Sequence, residues 1–478
     1  MQRELIPMSQ PLLPEGHLER RLGPWSATAL NMSNMIGVGP FITLPALMAT
    51  LGGPQSMLGW LAALLITLPD ALVWSELGAA MPASGGTYRW LRAGFGAEKW
   101  GRLMAFLFIW QLIISGPMEI GSGIIGFAQY LDYLIPGVSA DNLRTPQGVA
   151  IVLSVVGLVT LLLYRRIGHI AKLTIAIWLG VLATVGAVLV TGAVHFDASK
   201  AFDMPPNAFD WSWGFMMGLF TGARIGIYDY LGYYDICYVG DEVSDPGRTI
   251  PRSVITSLVV VAVLYVGINL SIIGVVPWRE FTPVAGQPEP AFAKYVASIC
   301  LERAWGRPVA VIFTLMLLWT ALACLFALLL GYSRIPFAAA RDGIFFGWFG
   351  RLHPQGHFPH RSLLLLAGLS AACSFLSLTV VIETLVVLRV LIQFIGQIAA
   401  LVLLRRHQPH MPRPYKVWLY PLPLIMATCG WMAVFWTSEE KRWYALASLV
   451  VGICFYLIWA RSTQRWPFAA QDRNQAAT

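Results

Sequence analysis

The sequence predicts an all-α, multi-pass membrane protein of about twelve transmembrane helices, two of them discontinuous. Three observations lead there. Apolar residues fill 57% of 478 positions and charged residues only 12%, about half the charged share of a soluble domain. Apolar runs of roughly 20 residues, the length that crosses a bilayer, recur along the whole chain. Two of these runs carry glycine, proline or acids at their middles. A broken helix survives at that depth only when protein shields its freed backbone groups or a ligand uses them.

The runs fall at 25–50, 56–80, 103–134, 147–164, 169–194, 211–240, 252–276, 308–332, 362–380, 382–404, 419–437 and 443–460. The residues ahead of the first are polar and proline-rich, with no apolar centre, and read as a cytoplasmic tail rather than a cleavable leader. With the N-terminus inside, the inner segments hold 23 Lys or Arg and the outer ones 8, while the acids split evenly. That bias places both termini in the cytoplasm and the protein in the cell membrane. It also accounts for the net charge of +8, because the cations flank spans rather than forming a nucleic-acid-binding face. Between Pro277 and Pro308, "PEPAFAKYVASICLERAWG" has the spacing of an amphipathic helix outside the bilayer.

Enzyme chemistry finds no support. The six cysteines are scattered without metal-ligand spacing. His353 and His357 are four apart, but Pro354 and Gly356 between them oppose a metal-binding helix. No phosphate-binding loop or dinucleotide fingerprint occurs. Neither a metal nor a cofactor is expected.

The first interruption is "NMSNMIGVGPF", Asn31 to Phe41. Glycine weakens a helix interior and proline breaks it. The span should end near Ile36 and restart near Pro40 or Phe41, a first-turn position that suits proline. Its loose N–H groups can hold a carboxylate. The second is "GARIGIYDYLGYYDICYVGDEV", Gly222 to Val243, loosened by Gly226 and Gly232. Carbonyls near Ile225–Tyr228 would there face an ammonium. Each break alone could serve close helix packing. Together they lie five spans apart, so the two halves run in opposite directions, as in an inverted repeat with a central site. A zwitterion suits that pair of breaks.

Several segments carry a resemblance. Gly37-Val38-Gly39-Pro40-Phe41, "SELGAAMPASGGTYRWLRAGFG" (Ser75–Gly96), "GDEVSDPGRTIPRS" (Gly240–Ser253) and "SRIPFAAARDGIFFGWFGRLHP" (Ser333–Pro354) occur in the order found in the amino acid–polyamine–organocation transporter superfamily. The chain resembles most its amino acid permeases and L-type amino acid transporters, with some features of its polyamine carriers. The resemblance covers about residues 20–460. It implies a LeuT-like five-plus-five inverted repeat with two added helices, working as a secondary transporter by alternating access. The implied division is a tail at 1–22, a transport core of ten helices at 23–404, helices 11 and 12 at 405–460, and a cytoplasmic tail at 461–478. Substrate contacts are then expected from Ile36, Gly37, Val38, Gly39, Pro40 and Phe41. The second break would add Ile227, Tyr228, Tyr230, Gly232, Tyr233 and Asp235. Pro40 stands where the family usually has an aliphatic residue.

Acids inside spans are costly and mark function. Glu119 either bonds backbone freed by Pro117, or takes up protons or a substrate amine. Asp235 has the same alternatives, and Asp229 is expected to neutralise Arg224. Lys172 is a further candidate for proton coupling, and Thr314 or Thr320 for sodium. Glu76 reads as structural, and Asp70 as a contact to another helix. Arg341, Asp342 and Arg248 read as loop or gate residues. The expected partners are a small amino acid or polyamine, protons or sodium, and lipid. A cationic-amine carrier is the nearest alternative; a channel or an accessory membrane protein is the next.

Overall fold

The computed structural model describes residues 22–83, 85–138, 143–164, 170–282, 290–354 and 358–468, with backbone alone at 170–177. Most of both terminal tails therefore lies outside the described residues. No sheet occurs among those described; Leu22 and Val243 form an isolated parallel bridge.

Helix α1 (Pro24–Met35) opens with proline, whose missing N–H costs nothing in a first turn. It stops ahead of Gly37, Gly39 and Pro40, which combine low helix propensity with a lost donor. The chain resumes as α2 (Gly39–Ile42) and α3 (Leu44–Leu51). The stretch Pro24–Ile42 and α3 lie at 62° to each other. There follow α4 (Leu58–Ala80), the short α5 (Thr87–Gly94), α6 (Trp100–Leu134), α7 (Pro146–Leu163), α8 (Ile170–His195) and the single turn α9 (Ala198–Ala201). At 35 residues, α6 is about 52 Å long and must tilt in, or project from, a core of about 30 Å.

Helix α10 (Trp213–Tyr230) is capped by Ser212, whose Oγ accepts from the Phe215 N–H at 3.1 Å. Its end corrects the expected break. The helix passes through Ile225–Tyr228 and stops at Tyr230. Gly226 is a packing glycine, set against Ala63 and Gly59 of α4. Gly232, with φ +105°, is the breaker. Short 3₁₀ turns follow at Asp235–Tyr238 and Gly240–Glu242.

The remaining helices are α11 (Pro246–Val275), α12 (Trp278–Phe281), α13 (Val296–Trp305), α14 (Arg307–Arg341), α15 (His360–Cys373) and α16 (Leu378–Arg389). After a π segment at Val390–Ile395 come α17 (Gly396–His407), α18 (Leu422–Trp436) and α19 (Lys441–Ser462). Helix α13 occupies the amphipathic segment and buries Val296, Ala297, Cys300 and Leu301. Two expectations are corrected. Arg341, expected as a loop or gate residue, is the last residue of α14, whose final turns hold Ala338–Ala340, which favour helix. The ninth and tenth runs divide at residues 374–377 rather than near 381.

Among the described residues, eight helices are long and apolar enough to cross a membrane, and nine if the bent first segment counts as one span. The architecture is thus all-α and multi-pass. Helix α4 packs against α10 and α11, and α6 against α14, α15 and α16. Between these groups α1 touches α11, α14 and the 3₁₀ turn at Asp235–Tyr238, so the two interrupted segments lie side by side in the interior.

Candidate functional site

The breaks are fastened to each other by side chains that take the place of lost helix bonds. Asn31, fully buried on α1, donates through Nδ2 to the Tyr233 carbonyl at 2.6 Å and accepts through Oδ1 from the Ile236 N–H at 2.9 Å. Both backbone groups belong to the second break. The Tyr265 hydroxyl, on α11, lies 2.5 Å from the Met35 carbonyl and 3.2 Å from that of Asp229. It has one proton for two acceptors. Gly232 packs on Asn34 and Met35. A Cβ on Gly39 would overlap Asp229 Oδ1, so only glycine permits that approach.

The polar groups left over are asymmetric. Ahead of α2, the Val38 and Gly39 N–H groups have no place in its bonding ladder. Oxygen acceptors stand near them, Asp229 Oδ1 against Gly39 itself. Asn34 donates to Asp235 Oδ2 at 2.7 Å, and Thr43 to Asp229 Oδ2 at 2.7 Å. Asn34 Oδ1, Asp235 Oδ1 and Asp229 Oδ1 are buried with no partner among the described residues. Buried acceptors of this kind are costly unless a donor arrives. The arrangement can therefore receive a solute that brings N–H donors to the acids and oxygens to the loose amides.

Of the expected substrate contacts, Ile36, Val38, Pro40, Phe41, Ile227, Tyr228, Tyr230, Tyr233 and Asp235 are buried in this interior with Gly37 and Gly232. Three tyrosines have structural bonds. Tyr233 donates to Asp70 at 2.5 Å, Tyr230 to the Trp60 carbonyl at 3.3 Å, and Tyr228 shares a 2.8 Å bond with Ser122. Asp70 thus does contact another segment, the second break itself. Asp229 does not neutralise Arg224. Its bond goes to Thr43, while Arg224 donates to the Thr437 carbonyl, Ser438 and Thr221. The two residues are five apart, so α10 turns them toward different neighbours.

Among the described residues the Glu119 carboxylate bonds side chains rather than the backbone freed by Pro117. Its Oε2 accepts from Arg389 Nη2 at 2.6 Å and from the Tyr332 hydroxyl at 2.7 Å. Arg389, Asn31, Tyr265 and Tyr332 are all absent from the set the sequence singled out. The rule that marks an acid inside a span marks Arg389 equally.

The other candidates lie elsewhere. The Lys172 side chain is outside the described residues. Thr320 bonds Thr184, and Thr314 bonds Ser298. Asp342 pairs with Arg89 at 3.3 Å and accepts from Tyr88, tying α14 to α5. Arg341 is exposed, and Arg248 makes an exposed 4.0 Å pair with Asp245. Glu76 is structural: Arg405, Arg413 and the Val417 N–H all converge on it.

Cys324 on α14 gives a way to probe the site. Its thiol donates to the Asn34 carbonyl at 3.5 Å and faces Gly37, and the residue is half-buried. In a variant whose other five cysteines are serine, a small maleimide is expected to stop uptake, and bound solute to slow the labelling. Full uptake after complete labelling would contradict this placement.

The chain's likeness to known proteins extends over nearly its whole length. It is 25% identical to a branched-chain amino acid permease of Bacillus subtilis (strain 168), an alignment covering 94% of each protein. It is 25% identical to the methylthioribose transporter of the same organism, over 93% of this chain and 94% of the relative. It is 24% identical to human solute carrier family 7 member 13, over 92% and 91%. The amino acid permease family matches residues 22–458. With a multi-pass helical body and that match spanning it, the chain belongs to the amino acid permease family of the amino acid–polyamine–organocation superfamily, membrane-embedded secondary transporters of small solutes.

Proposed function

We propose that this protein carries an amino acid across the cell membrane by alternating access, binding it between the breaks at Ile36–Phe41 and Leu231–Asp235. The observation that carries the reading is the fastening of the two breaks by Asn31 and Tyr265, which brings the loose amides of Val38 and Gly39 and the unpartnered oxygens of Asp229 and Asp235 into one interior. Val38 and Gly39 meet the carboxylate, and Asp235 with Asn34 meets the ammonium. The names of the relatives include branched-chain amino acids and methylthioribose. A neutral sugar would leave the acid oxygens without a charged partner, and a zwitterion would not.

The nine long spans become twelve when α10, α15 and α18 are counted, which supports the five-plus-five core at 23–404 with two added helices at 405–460. The Lys and Arg bias supports cytoplasmic termini. Coupling is to protons or to exchange, with Glu119, Asp235 and Lys172 as its groups. A second reading, a cationic-amine carrier, is favoured by the open oxygens of Asp229 and Asp235.

The test is flux into proteoliposomes with leucine, arginine and putrescine under imposed proton or sodium gradients. Asp235→Asn is expected to lower leucine uptake at least about tenfold, the equivalent of 1.4 kcal/mol, with thermal stability kept. Failure of the wild type to move any amino acid would reject the reading, as would full uptake by the Asp235→Asn variant.

A further inference from the structure

The interior of this transporter holds a cation as well as acids. Arg389 is fully buried, at the last residue of α16 before the π segment Val390–Ile395. Such π segments recur at functional sites. All three guanidinium nitrogens are engaged: Nη2 on Glu119 at 2.6 Å, Nε on Ser115 Oγ at 3.1 Å and Nη1 on the Tyr234 hydroxyl at 3.1 Å. Tyr234 belongs to the second break and adjoins Asp235. It is stacked on Trp74, with centroids 4.2 Å apart and planes at 13°. The pair is thus built into the wall of the solute site rather than into a distant helix contact.

Around Glu119 stand Arg389 from α16, Tyr332 and Cys324 from α14, Tyr228 from α10, and Tyr234 and Asp235 from the break. Only Arg389 among them is cationic. It pairs with Glu119 and leaves Asp235 and Asp229, whose Oδ1 atoms have no partner among the described residues, as the open acids. An ion pair in a low-dielectric interior is a strong local term, so removing either charge must change which solute charge the site accepts.

We propose that Arg389 is a specificity-determining positioning residue. By holding Glu119 it takes one of the interior carboxylates, Glu119, Asp229 and Asp235, away from solute, and so sets the site against a solute that brings an additional ammonium. This rests on the amino acid reading above and deepens it: the substrate class is neutral, zwitterionic amino acids. Arg389 does this through Glu119, without touching the solute itself.

The experiment compares wild type, Arg389→Gln, Glu119→Gln and the double variant E119Q/R389Q in proteoliposomes. Uptake of leucine, arginine, putrescine and glutamate is measured, and folding is checked by size exclusion and thermal unfolding. The wild type is expected to prefer leucine. R389Q frees Glu119 and is expected to shift the arginine-to-leucine and putrescine-to-leucine ratios upward by about tenfold or more. E119Q frees Arg389 and is expected to raise the glutamate-to-leucine ratio instead. The double variant, with neither charge, is expected to return toward the wild-type ratios. A purely structural pair would lower all four fluxes together and move no ratio. A folded R389Q with wild-type ratios overturns the inference. If R389Q does not fold, an E119Q variant with unchanged glutamate-to-leucine ratio overturns it equally. A wild type that prefers arginine or putrescine to leucine also overturns it, leaving the carrier reading intact. A wild type that moves no amino acid rejects the carrier reading itself.

Discussion

Asn31→Ala is expected to abolish amino acid uptake, by about a hundredfold or more, while the protein still inserts into the membrane. The amide of Asn31 satisfies two backbone groups of the second break, the Tyr233 carbonyl and the Ile236 N–H. Alanine leaves both buried without partners, at about 1–3 kcal/mol each. The cost falls on the local geometry of Leu231–Ile236 more than on the long helices around it, because among the described residues the Asn31 side chain hydrogen-bonds the break and, more weakly at 3.4 Å, Ser257. Uptake in proteoliposomes, set beside the thermal unfolding curve, separates the two effects. Retention of more than a tenth of wild-type flux would show that the breaks do not depend on this fastening.

Glu76→Ala is expected to give the largest loss of stability. Glu76 is wholly buried at the end of α4, and its carboxylate takes Arg405, Arg413 and the Val417 N–H. Its removal strands the mostly enclosed Arg405 guanidinium and one backbone donor, while Arg413 keeps its bonds to the carbonyls of Leu404, Gln408, Pro409 and Met411. Breaking a buried pair in this way costs about 3–5 kcal/mol. The midpoint of unfolding, followed by tryptophan fluorescence in detergent, is expected to fall by several degrees. The substrate preference of whatever folded fraction remains is expected to stay the same, since none of these groups belongs to the breaks. An unchanged midpoint would mean that the convergence on Glu76 adds nothing to stability.

Much of the helical framework was legible because hydrophobic runs report bilayer crossings directly. The first break was legible for a comparable reason: Gly37, Gly39 and Pro40 act on the backbone locally, whatever surrounds them. The second was placed too early because glycine has two uses. Gly226 allows α10 to approach α4, and Gly232 turns the chain; composition does not separate them, but φ does. Side-chain partners were the least legible part. Asp229 and Arg224 are near in sequence, yet Thr43, 186 positions away, takes the bond. Arg389 is marked by the same burial cost as the acids inside spans. Of the 33 Lys and Arg, the 23 inner and 8 outer leave two, Arg224 and Arg389, and both sit within spans. That remainder was the available signal.

The Tyr265 hydroxyl has a mechanical consequence. One hydrogen shared between the carbonyls of Met35 and Asp229 can swing from one to the other by torsion about the C–O bond, and the number of bonds stays the same. The joint is therefore stiff against pulling apart and compliant to shear. Two strands coupled in this manner can slide past each other by fractions of an ångström within one bound arrangement, and the tyrosine works as a pivot rather than a weld.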